Sequence, residues 1–585
     1  MIRLRSVSVV IAFTAILVSM FPARSAEAPA ATPVQPPCGP PDNWLPSSTV
    51  FLFSSAKPDA ALDLILDPSM TGQMHFEKGP AAVLTAIGNY LEAQLGSDWK
   101  TALHRTMRNG FAFAAGPGGA VVLIARSEDG AFLDKLSSTL VKAASWGTPQ
   151  KVSQTTHAGV NCRTIDGGKG YHAIAGDCLI YSNQLPILEQ VLDLRAGTVS
   201  LSQSLASDPE YQAAKQASRK DATAQIFVSP ALVRALPIFK RNPQAQQQPL
   251  LALLLGRNPQ AATSTKQDWL TLDLDVNGRA LSTRLGGEQL AGNAAPFASP
   301  PNGDGVLPNV SVPRQIAALS AWRDLRGFYA AKDTLFPERT GPLILFENLM
   351  GIYFSGRDLT EDVLGGVDPH VRLVVAEQAY DPETGTPSTQ VPAFAAIFRM
   401  HKPEKFGPIM EEAWQKALGL INFTRGQKAQ PGLIMDKRDH AGVRYTFASF
   451  SAAEEPDKTK LDVRFNFRPA IVRDGEFLIL SSTDQLADDL IDGLRNPAQP
   501  VAASNGLVEI DGSRLTRILL ANKDGIVRGN MLKKGQERTA AEKDFGNLTA
   551  VARLLGQATL RTGEAASQRF VDLKLEFGGT PDASH

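Results

Sequence analysis

His157-Ala158-Gly159-Val160 and His440-Ala441-Gly442-Val443 are the same four residues used twice in one chain. Each copy is flanked by two strand-like runs, residues 152–156 and 160–165 in the first, 433–438 and 443–447 in the second. Glycine supplies the positive φ that a tight reversal needs, so both copies read as tips of β-hairpins. The segments on either side follow one another in the same order, which reads as an internal duplication of one folded plan.

Working outward, each half begins with a helix start, Gly96-Ser97-Asp98-Trp99 or Gly356-Arg357-Asp358-Leu359. Ser97, Asp98 and Asp358 are N-cap residue types, whose side-chain oxygens accept the unpaired N–H groups of a first turn. Apolar strands follow at 111–115 and 371–376, then at 120–125 and 393–400. Next comes a helix, with Phe132, Leu136, Leu140 and Val141 on one face in the first half. Phe406, Ile409, Met410, Ala413 and Leu418 share a face in the second. After the hairpin, a second strand pair turns at Gly176-Asp177 or Asp474-Gly475. A further helix buries Leu185, Leu188, Val191 and Leu192, matched by Leu486, Leu490, Ile491 and Leu494, and Ser482 with Gln485 fits a capping box. Strands at 224–228 and 507–510 lead through helices to a closing strand carrying Leu270, Leu272 and Leu274, or Val571, Leu573 and Leu575.

Period-2 strands and helices with one apolar stripe predict an α+β protein of two related domains. Each is expected to be a mostly antiparallel sheet with helices packed on one face. The first repeat is read at 44–285 and the second at 314–579, joined by a Gly/Pro/Asn-rich linker at 286–313. Residues 381–392 and 451–460 read as loops particular to the second half. The Asp98 and Asp358 helix starts, the strands beyond them, and the strand–turn–strand–helix segments resemble a broad group of uncharacterised exported bacterial proteins. That group carries a duplicated domain of unknown function. The resemblance implies this fold and export, and brings no catalytic assignment.

The 585 residues exceed one core, and with 43% hydrophobic and 20% charged residues they suffice for ordinary globular ones. Lysine plus arginine balances aspartate plus glutamate at 59 each. Nucleic-acid binding, which needs a basic surface, is not expected. Arg3 and Arg5, an apolar run at 7–21 and Ala23-Arg24-Ser25 form a secretory leader over residues 1–25. An Ala/Pro-rich lead-in covers 26–43. No later run is long enough to span a membrane, residues 250–255 being far too short. The mature chain is therefore expected to be periplasmic or secreted, without a transmembrane segment. Of three cysteines, Cys38 lies in the lead-in, while Cys162 and Cys178 sit on strands with residues 171–175 between them. Second-neighbour strands lie about 9–10 Å apart, too far for a disulfide unless sheet order departs from chain order, which leaves that pairing open.

His157 and His440 are the most tempting ligand pair, yet neither has a second histidine or cysteine at metal-ligand spacing. Asp166-Gly167-Gly168-Lys169-Gly170 imitates a phosphate loop but lacks the Lys-Ser/Thr order and the helix that must follow. No serine sits between glycines at a strand-to-helix turn. Asp98, Asp358, Glu361 and Asp362 are acidic residues in first helical turns, where the helix dipole already favours them. Tyr445 stands where the first half has Cys162, so no duplicated thiol site exists. No catalytic, cofactor-binding or metal residue is assigned, and no cofactor is expected. A sheet roofed by helices on one side can still cup an apolar ligand. The expectation is an exported binding or scaffolding protein of the bacterial envelope, its partner an envelope protein or an apolar small molecule such as a lipid. The alternative is an exported hydrolase with its site at the domain interface.

Overall fold

The computed structural model describes residues 39–66, 92–144, 153–165, 170–235, 253, 269–278, 280–287, 296–300, 305–336, 340–380, 385–451, 461–495, 499–565 and 568–577. The leader, most of the lead-in with Cys38, the Asp166-to-Lys169 part of the glycine cluster, and much of the 286–313 linker lie outside the described residues. The chain groups into two compact units. One comprises Met1–Lys240 and Gln267–Glu288, the other Arg241–Lys266 and Gln289–His585. The stretch Arg241–Lys266, read from sequence within the first repeat, thus groups with the second unit. There Leu253 packs against Phe297, Leu335 and Phe336, and its carbonyl accepts from Arg323 Nε at 2.6 Å.

The first unit holds strands β1 (Phe51–Ser55), β2 (Gly110–Ala115), β3 (Val121–Arg126), β4 (Gln154–His157), β5 (Val160–Ile165), β6 (Gly170–Ala175), β7 (Cys178–Ser182), β8 (Ala224–Val228), β9 (Leu270–Asn277) and β10 (Ala280–Gly287). The pairings described within this unit are all antiparallel, in the order β4-β5-β6-β7-β3-β2-β1-β8-β9-β10. The second unit holds β11 (Gln315–Trp322), β12 (Val367–Ala376), β13 (Ala393–Met400), β14 (Ile434–His440), β15 (Val443–Ser449), β16 (Ala470–Asp474), β17 (Phe477–Ser481), β18 (Ser504–Asp511), β19 (Gln557–Ala565) and β20 (Gln568–Glu576). Its order is β14-β15-β16-β17-β13-β12-β11-β18-β19-β20, again wholly antiparallel. Strand for strand, the two orders are the same. Four strands escape the sequence reading. β1 and β11 open each sheet before the helix start, and the single closing strand expected in each half is one arm of a hairpin, β9–β10 or β19–β20.

Helices α1 (Trp99–Met107), α2 (Gly130–Ala144), α3 (Leu185–Ala196) and α4 (Pro209–Ala217) belong to the first unit. Those used below in the second are α5 (Thr340–Tyr353), α6 (Pro403–Gly426), α7 (Asp484–Leu494), α8 (Gly512–Ala521) and α9 (Arg538–Leu554). The expected one-sided roof is corrected. On β3, Val122 and Ile124 join a core with Leu188, Val191 and Leu192 of α3. Their neighbours Leu123 and Ala125 join another with Ala102 of α1 and with Phe132 and Leu136 of α2. In the second unit Ala395 and Ile397 of β13 meet α7, while Met400 of the same strand meets Phe406 and Ala413 of α6. Central strands carry apolar side chains at both parities, so each sheet is covered by helices on both faces.

Asp98 caps α1 as expected, accepting from Lys100 N and Thr101 N. Asp358 accepts from Glu361 N, but what it opens is a single π-turn, Leu359–Val363. Two local readings shift by a residue, and two buried faces change one member each. The second-unit turn is Gly475-Glu476, since Asp474 pairs with Phe477. The cap of α7 is Thr483, whose hydroxyl accepts from Leu486 N at 3.2 Å, in place of Ser482. The buried faces are Leu188, Val191, Leu192 and Leu194 on α3 and Leu486, Ala487, Leu490 and Ile491 on α7, leaving Leu185 and Leu494 partly exposed.

At the repeated tetrapeptide, His157 pairs with Val160 and His440 with Val443, leaving two-residue turns. Both turn residues have positive φ, 49° and 75° at Ala158 and Gly159, 50° and 85° at Ala441 and Gly442. This is the type I′ pattern, whose twist matches the strands and whose preferred sequence is Asn-Gly. Alanine in a left-handed conformation costs about 1 kcal/mol. Ala441→Asn is therefore expected to raise stability by roughly 0.5–1 kcal/mol, read as a higher urea midpoint.

Cys162 pairs across to Ala173, and Ala175 to Cys178, so β6 separates the two cysteines as chain order suggests. Cys162 is a free, buried thiol, pushed above its ordinary pKa by burial, whereas Cys178 is disulfide-bonded. The two are not paired with each other. Alkylation of unfolded, unreduced protein is expected to label Cys162 and to spare Cys178, as read by peptide mass spectrometry.

Candidate functional site

The repeated histidines do the same thing in each unit. His157 Nε2 lies 2.9 Å from Asp193 Oδ1 on α3, with Glu189 3.9 Å from its Nδ1. His440 Nε2 lies 2.9 Å from Asp492 Oδ2 on α7, with Asp488 3.7 Å from its Nδ1. Each histidine ties a hairpin tip to the helix that follows the sheet. In the second unit the tie widens into a network. Arg438 reaches Asp484 at 2.9 Å and Asp488 at 2.7 Å, and Arg468 reaches Asp484 at 2.8 Å. The Tyr445 hydroxyl donates to Asp488 at 2.7 Å. Burial, reinforced by that carboxylate, holds the hydroxyl's pKa well above its ordinary value. Buried carboxylates paired in this way hold the hairpin to α7. Among the described residues no group of three or more histidine, cysteine or acidic side chains is arranged to hold a metal ion.

A second cluster was not visible in the sequence. Ser137 on α2 and His172 on β6 are each 3% exposed, and Ser137 Oγ lies 3.1 Å from His172 Nε2. Arg163 of β5 donates to the same Oγ at 3.0 Å. Burial, aided by the charge of Arg163, pushes the imidazole pKa down to about 4. Serine beside histidine suggests a nucleophile with its base, but a base is normally oriented and its cation stabilised by a carboxylate. Here an arginine faces the pair and opposes protonation. The cluster joins helix to sheet beneath the surface. In the second unit Ile471, paired across to Leu480 as His172 is to Tyr181, fills the corresponding place with carbon. A lone histidine inside the apolar run of β6 is the only trace the sequence gives.

A cleft of about 310 Å³ in the second unit is lined by Gln315, Glu509, Asp511, Arg514, Gln557 and Thr559. Arg514 spans it from Asp511, 3.4 Å away, to Glu377, 3.0 Å away. Hydrogen bonds from Arg517 and Arg514 hold the Glu377 carboxyl below its ordinary pKa. Apart from Val312 and Ile510 the lining is polar, and it is unsuited to an apolar ligand.

Apolar surface lies elsewhere on the same unit. At the end of α6, Leu420, Ile421 and Phe423 are exposed, as are Ile434 and Met435 at the start of β14. Phe423 and Ile434 keep 64% and 61% of their surface in solvent. Asn422 fastens the two elements together, its Oδ1 accepting from Leu433 N at 2.7 Å and its Nδ2 donating to Leu433 O at 2.9 Å. On α5, Leu345, Leu349 and Ile352 form a second exposed row at helical spacing. Sequence reasoning places part of α6 on the core face and misses this outer one, because Leu420, Ile421 and Phe423 lie just beyond the last core position, Leu418.

No helix among the described residues is long and apolar enough to cross a membrane. Compared with known proteins, the chain matches no family, no curated protein and no solved structure.

Proposed function

We propose an exported binding or scaffolding protein of the bacterial envelope, built by duplicating one α+β domain, that engages its partner through exposed apolar surface. The observation that carries this reading is the cluster of large apolar side chains at the α6–β14 junction. Single exposed leucines are ordinary, but neighbouring ones on a clamped, ordered element mark interaction sites. The common strand order and the matching His157–Asp193 and His440–Asp492 ties support the duplication, in keeping with the resemblance to exported proteins of unknown function. The leader-like residues 1–25 and the disulfide-bonded Cys178 support an oxidising compartment outside the cytoplasm.

A photo-cross-linking amino acid at Phe423 tests the reading in intact cells. The expected result is a discrete adduct absent when the same group replaces Lys523 on a remote helix. Purified protein that instead turns over substrates in a hydrolase panel, with turnover abolished by Ser137→Ala, overturns it.

A further inference from the structure

We infer, resting on the binding reading above, that the partner of the α6–β14 junction is an anionic membrane surface. Between residues 419 and 439 Leu433 alone is buried, so helix end, connection and strand start stand out from the unit together. The Asn422–Leu433 pair of hydrogen bonds fixes them, so little ordering is needed on docking. Successive residues of a strand point to opposite sides, so Ile434 and Met435 face opposite ways. A flat protein surface covers one side of such a projection. A bilayer interface surrounds it and covers both.

Charge points the same way. Arg425, Lys428 and Lys437 fall in this stretch against Asp436 and Asp439, Arg438 being held by Asp484 and Asp488, in a chain whose charges cancel overall. Lys428 and Lys437 are exposed beside the apolar side chains. Apolar residues inserted shallowly, with lysine and arginine at headgroup level, are how interfacial segments bind anionic bilayers.

Flotation of the full mature chain with phosphatidylglycerol or phosphatidylcholine vesicles tests this. The expected result is binding to phosphatidylglycerol about tenfold stronger than to phosphatidylcholine, weakened at about 0.5 M salt. Phe423→Asp combined with Ile434→Asp is expected to reduce that binding about tenfold or more. Lys428→Glu with Lys437→Glu is expected to remove the preference between the two lipids. Leu532→Asp, at an exposed leucine elsewhere in the unit, is expected to leave binding unchanged. All these positions are exposed, and unchanged circular dichroism confirms folding. Absence of vesicle binding, binding kept by the double aspartate variant, or self-association that this variant abolishes in sedimentation each overturns the proposal. If vesicles fail while the Phe423 cross-linker captures one envelope protein, the lipid partner falls and the binding reading stands. If both fail, both fall.

Discussion

Between pH 6.5 and pH 4 the first unit is expected to lose about 3 kcal/mol of stability through His172 alone. The imidazole titrates at its ordinary 6.5 when the chain is unfolded and near 4 when burial beside Arg163 disfavours its charge. Above pH 6.5 both states hold it neutral and the contribution is fully present. As pH falls through the window, the unfolded chain takes up a proton that the folded one refuses. That costs about 1.4 kcal/mol per pH unit. Below 4 both states are charged and no further loss comes from this group. Urea unfolding at pH 7, 5.5 and 4.5 measures it. His172→Leu, which copies the all-carbon filling that Ile471 gives the other unit, is expected to flatten the part of the decline due to this residue, leaving that of the carboxylates. Equal slopes for the two proteins would sink the assignment.

Gly512→Ala is expected to cost the second unit about 3 kcal/mol. Gly512 opens α8 straight after β18, and its N–H donates to Gly556 O at 2.6 Å. A Cβ there would stand 2.2 Å from the Ala552 carbonyl and 3.0 Å from Gly556 N, both backbone atoms near the end of α9. Backbone cannot swing aside as a side-chain tip can, so α8 and α9 would have to separate. Gly525, on the exposed helix Lys523–Lys534, meets nothing within 4 Å, and Gly525→Ala is expected to stabilise by about 0.5–1 kcal/mol. Thermal melts of the two variants should move in opposite directions. A common shift would show that space around the glycine is not what decides.

Much of the sheet is legible in the sequence because its signals are local. Asp98 and Asp358 cap by reaching their own next turn, and Ala-Gly or Gly-Asp reverses a strand within two residues. What escapes depends on partners far along the chain. β1 is short and ends in two serines, and gains its identity only between β2 and β8. β19 alternates Thr, Arg and Glu with apolar residues and resembles an exposed segment until β18 and β20 flank it. The one-sided roof fails because central strands such as β3 and β13 are apolar at both parities, the mark of a strand buried on both faces, while only the closing strands such as β9 alternate with polar residues. The candidate site is less legible still. An exposed phenylalanine and a buried one have the same letter, and only the fold shows that Phe406 turns inward and Phe423 outward.

Leu253 belongs to the second unit while β8 and β9 on either side of it belong to the first, so the polypeptide crosses from one unit to the other before Leu253, again after it and finally after β10. Three covalent tethers therefore join what a simple tandem would join with one. A protease that nicks any single crossing leaves the halves leashed by the other two. The ribosome also finishes Leu253, a piece of the later half, before β9 and β10 complete the earlier one, so that residue waits for Phe297, Leu335 and Phe336 to emerge.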